Sequence, residues 1–157
     1  MKISASEIKK IIRDVLKHTC ISPIELEYIS TNLIEAEFAN KRTHGLLSLP
    51  AIKKFASKLV SIRSNTLRTI SESNQHLHLD GQYNPGYICM YQSLERAIAK
   101  TKNSGVVIVG IKNMSYSTGY LGAYARKATE NDLIFIGFNK SPSSLVPTGA
   151  SESLFGT

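Results

Sequence analysis

The feature that most constrains this fold is a change of hydrophobic period near Val60. Before it, apolar residues recur at helical spacing; after it, short segments alternate apolar and polar with period two. Ser6 precedes a first helix over 7–17, with Ile8, Ile11, Ile12, Val15 and Leu16 on one stripe. Ser22 followed by Pro23 starts a second helix as an N-cap with proline at the first helical position. Leu26, Ile29, Leu33, Ile34 and Phe38 form its apolar face, and Pro50 opens a third helix reaching Leu59. Beyond Val60, residues 67–72 and 75–80 read as half-buried strands. Residues 87–102 then read as a helix, 105–111 as a buried strand, 120–131 as a helix and 133–138 as a strand. Three helices followed by a β–β–α–β–α–β order predict an α/β chain: an N-terminal helical layer beside a partial mixed sheet. A long loop over 139–157 closes the order, and no internal repeat is present.

At 157 residues and 42% hydrophobic content, the chain has enough apolar material for one core. A piece of a larger two-domain protein fits the same numbers. The formal charge of +7 raises anionic ligands and nucleic acid as partners. The lysines and arginines are spread along helix faces, however, and no nucleic-acid signature accompanies them, so nucleic acid is disfavoured. Cys20 and Cys89 form no CxxC and read as reduced, packed thiols. The N-terminus has no apolar targeting run, and 105–111 is too short to span a bilayer, so no membrane segment is expected and the cytoplasm is the default compartment.

Two places carry candidate chemistry. His44 stands alone in the polar, basic break Ala39–Pro50, beside Lys41 and Arg42. Imidazole exchanges protons near neutral pH, which suits a proton-handling site; a histidine bonding at a helix boundary is the plainer alternative. The loop 140–150 has serines and backbone N–H groups that suit phosphate or ribose, or it is an ordinary surface loop. A GxGxxG fingerprint is missing after the strand at 105–111, where Gly119 and Gly122 come too late, so a Rossmann crevice is not expected. His76 and His78 share one strand face but have no third ligand nearby in sequence, and no metal is expected.

Four segments, in order, give a family resemblance. Arg42-Thr43-His44-Gly45-Leu46-Leu47-Ser48-Leu49-Pro50 is similar to an SHGLLRLP segment. Asp80-Gly81 with Gly86 is similar to a DG…G strand end, and Ser141–Gly149 to an SPPxVAPxGG loop. Glu152–Thr157 runs into a GTNP motif. With these segments the chain resembles the type-2 malate/L-lactate dehydrogenase family, which includes ureidoglycolate and sulfolactate dehydrogenases, diketogulonate reductase and piperideine-carboxylate reductase. The resemblance covers the N-terminal half of a member. It implies a non-Rossmann α/β fold, NAD or NADP as cofactor, a 2-oxo or 2-hydroxy acid (or related imine) as substrate, and a homodimer or a complementing C-terminal half as partner.

The same resemblance implies a division into a helical region over 1–64 and a truncated α/β cofactor-binding region over 65–157. His44 matches the proton-donating histidine, and Ser141 a position that contacts the dinucleotide. Ser48 stands where the family carries an arginine for the substrate carboxylate. Tyr116 or Ser117 falls at a second family histidine; Tyr116 would hydrogen-bond the substrate oxygen or pack. The functions expected are an NAD(P)-dependent oxidoreductase, a catalytically impaired remnant or split-gene subunit that needs a partner half, and, further off, a basic nucleic-acid-binding module. A sheet cut short would expose an edge and self-associate.

Overall fold

The computed structural model describes residues 3–57 and 66–156. Helix α1 (Ala5–Leu16) starts two residues earlier than Ser6 suggests, because Ser4 is its N-cap. The Ser4 N–H donates to Glu7 Oε2 at 2.8 Å and the Glu7 N–H donates back to Ser4 Oγ at 3.3 Å. This reciprocal pair satisfies two orphan donors of the first turn, a stronger start signal than Ser6 offers. Helix α2 (Pro23–Phe38) has the expected Ser22 cap, with the Ser22 N–H donating to Glu25 at 2.8 Å. Phe38, expected on the apolar face, is 65% exposed, since the helix ends there and the chain turns at Asn40 with φ +56°.

Two 3₁₀ turns, Arg42–His44 and Leu46–Ser48, lead into α3 (Leu49–Ala56). The expected continuation of α3 to Leu59 and the boundary at 64/65 fall outside the described residues. The sheet follows: β1 (Arg68–Glu72), β2 (His76–Asp80), α4 (Gly86–Ser104), β3 (Ile108–Lys112) and α5 (Leu121–Thr129). β2 is central, antiparallel to β1 and parallel to β3, with α4 as the crossover. A bulge between Thr69 and Ser71 shifts the β1 register, and His78 sits opposite Gly110.

Three strand expectations change. β1 is exposed along its whole length, because it is an edge strand that α4 reaches through the side chains of Arg96 and Lys100 on Thr69 and Glu72. β3 alternates exposed and half-buried instead of being buried, since only β2 pairs with it among the described residues. Residues 133–138 form no strand, because among the described residues no neighbouring strand supplies ladder hydrogen bonds there. Among the described residues no helix is long and apolar enough to cross a membrane.

Two core clusters share helix α2. Ile8, Ile12, Leu16, Ile29, Leu33, Leu49 and Ile52 gather α1, α2 and α3, and Tyr87 of α4 joins them. Tyr28, Tyr91, Leu94, Tyr124 and Ala128 gather α2, α4 and α5. Each fully buried leucine or isoleucine contributes about 1.5–3 kcal/mol over its exposed state, so the α2 stripe ties the helical layer to the sheet's crossover helix. Within the second cluster Tyr28 stacks on Tyr91 at 5.0 Å, and Tyr91 meets Tyr124 edge-on at 4.9 Å.

The end of β2 carries a pH-sensitive contact. The Arg68 guanidinium donates to Asp80 at 2.8 Å, the Gln82 N–H at 2.9 Å and the Asn113 amide at 3.2 Å. Arg68 first, then the Gln82 and Asn113 donors, hold the Asp80 carboxyl down from 3.8 to about 2 against the opposing effect of burial. A folded-state value below the unfolded one gives stability that is complete above about pH 4 and is lost as pH falls toward 2. Asp80→Asn is therefore expected to flatten the acid limb of a thermal-melt series between pH 5 and 2. An unchanged acid limb would show that other carboxylates govern it.

Candidate functional site

The segment between α2 and α3 is held in shape by its own polar groups. The Lys41 N–H donates to Ala36 O at 2.7 Å, which closes the α2 end. The Leu46 N–H then donates to Glu37 Oε1 at 2.6 Å, so a helix carboxylate anchors the next turn. Ser48 Oγ donates to Gly45 O at 2.7 Å, fastening the turn from the other side. His44 projects from this braced turn, exposed, with Nδ1 3.2 Å from Thr43 Oγ1. An exposed imidazole on a fixed backbone is placed to meet a ligand arriving from solvent.

Ser48 connects this turn to a second group of side chains. The hydroxyl of Tyr87, in the first turn of α4, lies close to the side chains of Ser48 and Ser117. Burial pushes the Tyr87 phenol up, and the Ser48 and Ser117 hydroxyls offset part of the rise, so it is neutral at physiological pH. Tyr116 lies beside it, ring centroids 6.4 Å apart, and stacks on Phe55 of α3 at 4.8 Å. Burial also raises the Tyr116 phenol, which keeps it protonated. Ser48 and Tyr116 thus come together through Tyr87, from residues 39 and 29 positions away in the chain.

The loop carrying Tyr116 and Ser117 takes unusual backbone shapes. Asn113, Tyr116 and Gly119 have φ of +54°, +56° and +72°, a region L-residues adopt at a cost. Buried Asn32 of α2 over-determines this shape: its amide donates to Tyr120 O at 3.0 Å and accepts from the Tyr120 N–H at 2.8 Å. Tyr124 Oη donates to Thr118 O at 2.5 Å from the far side. Gly86 at the start of α4 allows the close approach, since a Cβ there would sit 2.6 Å from Ser117 O and 2.9 Å from Thr118 Cα.

Ser141 lies further on, half-buried in the terminal loop. That loop folds back on itself: the Leu145 N–H donates to Phe155 O at 2.8 Å and the Leu154 N–H to Leu145 O at 3.0 Å. A groove within it is lined by Asn139, Lys140, Ser141, Ser143 and the Leu154–Gly156 turn. One cation with hydroxyl and amide donors fits the phosphate and ribose of a dinucleotide. The root of the loop joins the Tyr116 region, where the Asn139 amide donates to Thr118 Oγ1 at 3.0 Å. The structure brings Ser48 and Tyr116 into one cluster, places His44 on the adjoining turn, and sets Ser141 in the loop whose base, at Asn139, meets the segment after Tyr116.

His76 and His78 lie on β2 with ring centroids 6.2 Å apart, and among the described residues no three His, Cys, Asp or Glu side chains gather as a metal site. Sequence reasoning missed Glu37, Tyr87, Phe55 and Asn32. Tyr87 was within reach of it, because it directly follows Gly86, whose place in the DG…G segment was already marked; the other three carry no local signal.

Comparison with known proteins follows from this geometry. The profile of the malate/L-lactate dehydrogenase family matches residues 3–157. A malate dehydrogenase of Pyrococcus horikoshii is 27% identical over 160 residues, covering 100% of this chain and 43% of its own length. A (2R)-3-sulfolactate dehydrogenase (NADP⁺) of Chromohalobacter salexigens is 24% identical over 99% of this chain and 46% of its own. A ureidoglycolate dehydrogenase (NAD⁺) of Escherichia coli O157:H7 is 26% identical over 100% of this chain and 45% of its own. The solved structure of a sulfolactate dehydrogenase from Methanocaldococcus jannaschii superposes with a TM-score of 0.74 and 27% identity, covering 84% of this chain and 38% of that one. This chain therefore spans less than half the length of the relatives it matches.

Proposed function

This chain belongs to the malate/L-lactate dehydrogenase family, and on that premise we propose that it serves an NAD(P)-dependent oxidoreductase of the cytoplasm, interconverting a small 2-hydroxy acid and its 2-oxo acid or reducing a related imine. The observation that carries the reading is the family match running across residues 3–157, with its histidine on a turn braced by Glu37 and Ser48. Relatives named for NAD⁺ and for NADP⁺ support a nicotinamide cofactor.

Lys140 and Ser141 would hold the phosphate and ribose of a nicotinamide dinucleotide, which when bound would supply hydride for C2 of the substrate. His44 would give a proton to the oxygen that develops there and take it back in the oxidative direction. Ser48 and Tyr87 present neutral hydroxyls beside the reacting oxygen, while Tyr116 and Phe55 form an aromatic wall that limits water.

The test is oxidation of NADH and of NADPH by the purified chain against a panel of 2-oxo acids and cyclic imines. The same panel is repeated with the C-terminal region of a relative co-expressed. The coverage of 43–46% favours a second reading, in which turnover requires that region. Activity in neither preparation would leave only the impaired remnant.

Ser48 also bears on the substrate. A neutral hydroxyl does not hold a carboxylate as a guanidinium does, and a charge-assisted hydrogen bond contributes about 1.5–3 kcal/mol. Ser48→Arg is expected to raise kcat/KM for 2-oxo acids roughly tenfold or more in the active preparation. An unchanged or lower value would place the carboxylate elsewhere.

A further inference from the structure

Strand β2 turns its two faces to different surroundings. Leu77 and Leu79 are fully buried on one face, while His76 and His78 stand on the other, His76 exposed and His78 half-buried. Among the described residues no hydrogen bond engages either imidazole. Asp80, next on the same face, is by contrast committed on both oxygens to Arg68, Gln82 and Asn113. The flanking strand leaves the rings room: Gly110 of β3 pairs with His78, and a Cβ there would meet only His78 Cδ2, at 3.8 Å.

The spacing of the two rings suits a shared ion. Their centroids lie 6.2 Å apart. An imidazole nitrogen binds a borderline divalent cation at about 2.0–2.1 Å, which puts each centroid about 3.2 Å from the ion and limits two rings on one ion to about 6.4 Å. The pair stands just inside that limit. Side-chain rotation, unobstructed beside Gly110, closes it to about 5 Å, the separation of two rings at a tetrahedral angle. The extended backbone does the positioning, because residues two apart on a strand share a face only once the sheet has formed.

We propose that His76 and His78 form a two-imidazole chelate for one borderline divalent cation of the Zn²⁺, Ni²⁺ or Cu²⁺ kind, with water completing its coordination. Imidazole selects these ions over Mg²⁺ and Ca²⁺, which take oxygen ligands. Among the described residues no third His, Cys, Asp or Glu side chain joins the pair, so the affinity is that of two ligands and falls below that of three- or four-ligand centres. Both ligands come from one strand, and the ion therefore ties no two elements together. The site is separate from the proposed oxidoreductase chemistry, and its occupancy is read without any turnover.

The test is isothermal titration of the full, untagged chain with NiCl₂, repeated with MgCl₂. Binding of one Ni²⁺ per chain with no Mg²⁺ binding is the expected result. His76→Ala and His78→Ala should each weaken Ni²⁺ binding by roughly tenfold or more, since each leaves a single imidazole. His18→Ala, which removes an exposed histidine of another element, should leave it unchanged. His76 is exposed, so its variant should keep the parent melting temperature and decides the matter even where His78→Ala is destabilised. Undiminished binding in His76→Ala would overturn the proposal, as would the absence of any Ni²⁺ binding. An equal loss in His18→Ala would also overturn it, by showing adventitious binding to scattered surface histidines.

Discussion

Gly119→Ala is expected to lower the free energy of unfolding by about 4 kcal/mol, read from a chemical denaturation curve. Two costs add. Gly119 has φ +72°, where an L-side chain is strained by about 1 kcal/mol. A Cβ there would also overlap the Tyr87 ring and Asn32 Oδ1, and neither neighbour can give way. The Tyr87 ring is buried against α2 and α3, and the Asn32 amide is engaged at both ends by Tyr120. Overpacking of this kind costs about 1–3 kcal/mol or more. Gly105 is the control: its φ is +74°, but a Cβ there would meet nothing within 4 Å. Gly105→Ala should therefore cost only about 1 kcal/mol, the strain alone. Equal costs at the two positions would show that the contact between the 116–120 loop and Tyr87 is not what makes Gly119 necessary.

His44→Ala is expected to lower turnover by roughly 10²–10⁴-fold in whichever preparation oxidises NAD(P)H, the range for a positioned acid–base group. Little change in stability should accompany it, because His44 is exposed and its described side-chain hydrogen bond is the 3.2 Å contact with Thr43. Circular dichroism and melting temperature separate lost chemistry from lost fold. Full activity in His44→Ala would remove the histidine from the chemistry and leave it as a turn residue beside Thr43. A comparable loss in Glu37→Gln would point to the bracing of the turn, since the Glu37 carboxylate holds the turn through the Leu46 N–H.

Much of the local structure was legible from short windows. The stripe of Leu26, Ile29 and Leu33, with Ser22-Pro23 ahead of it, specifies α2 from propensity and capping within a few residues. Ser4-Ala5-Ser6-Glu7 likewise holds its capping box in four residues, and choosing Ser6 overlooked a signal that was there. The alternation in 67–72 and 75–80 marked two strands, while their antiparallel pairing and the full exposure of the first came from the fold.

What the sequence determined by itself is therefore the order of the helices and of β1 to β3, and the family whose motifs they carry, because capping, periodicity and turn chemistry act within one or two helical turns. The tertiary structure alone decided which strand-like stretches become strands. Residues 133–138 are an apolar run that reads as a strand as β2 does, yet a strand exists only where a second backbone lies alongside it, and that partner is remote in sequence. It alone also decided the site cluster. Ser48, Tyr87 and Ser117 meet because α4 packs onto α2 and α3 and Asn32 clamps Tyr120, contacts made across tens of residues that no local pattern encodes.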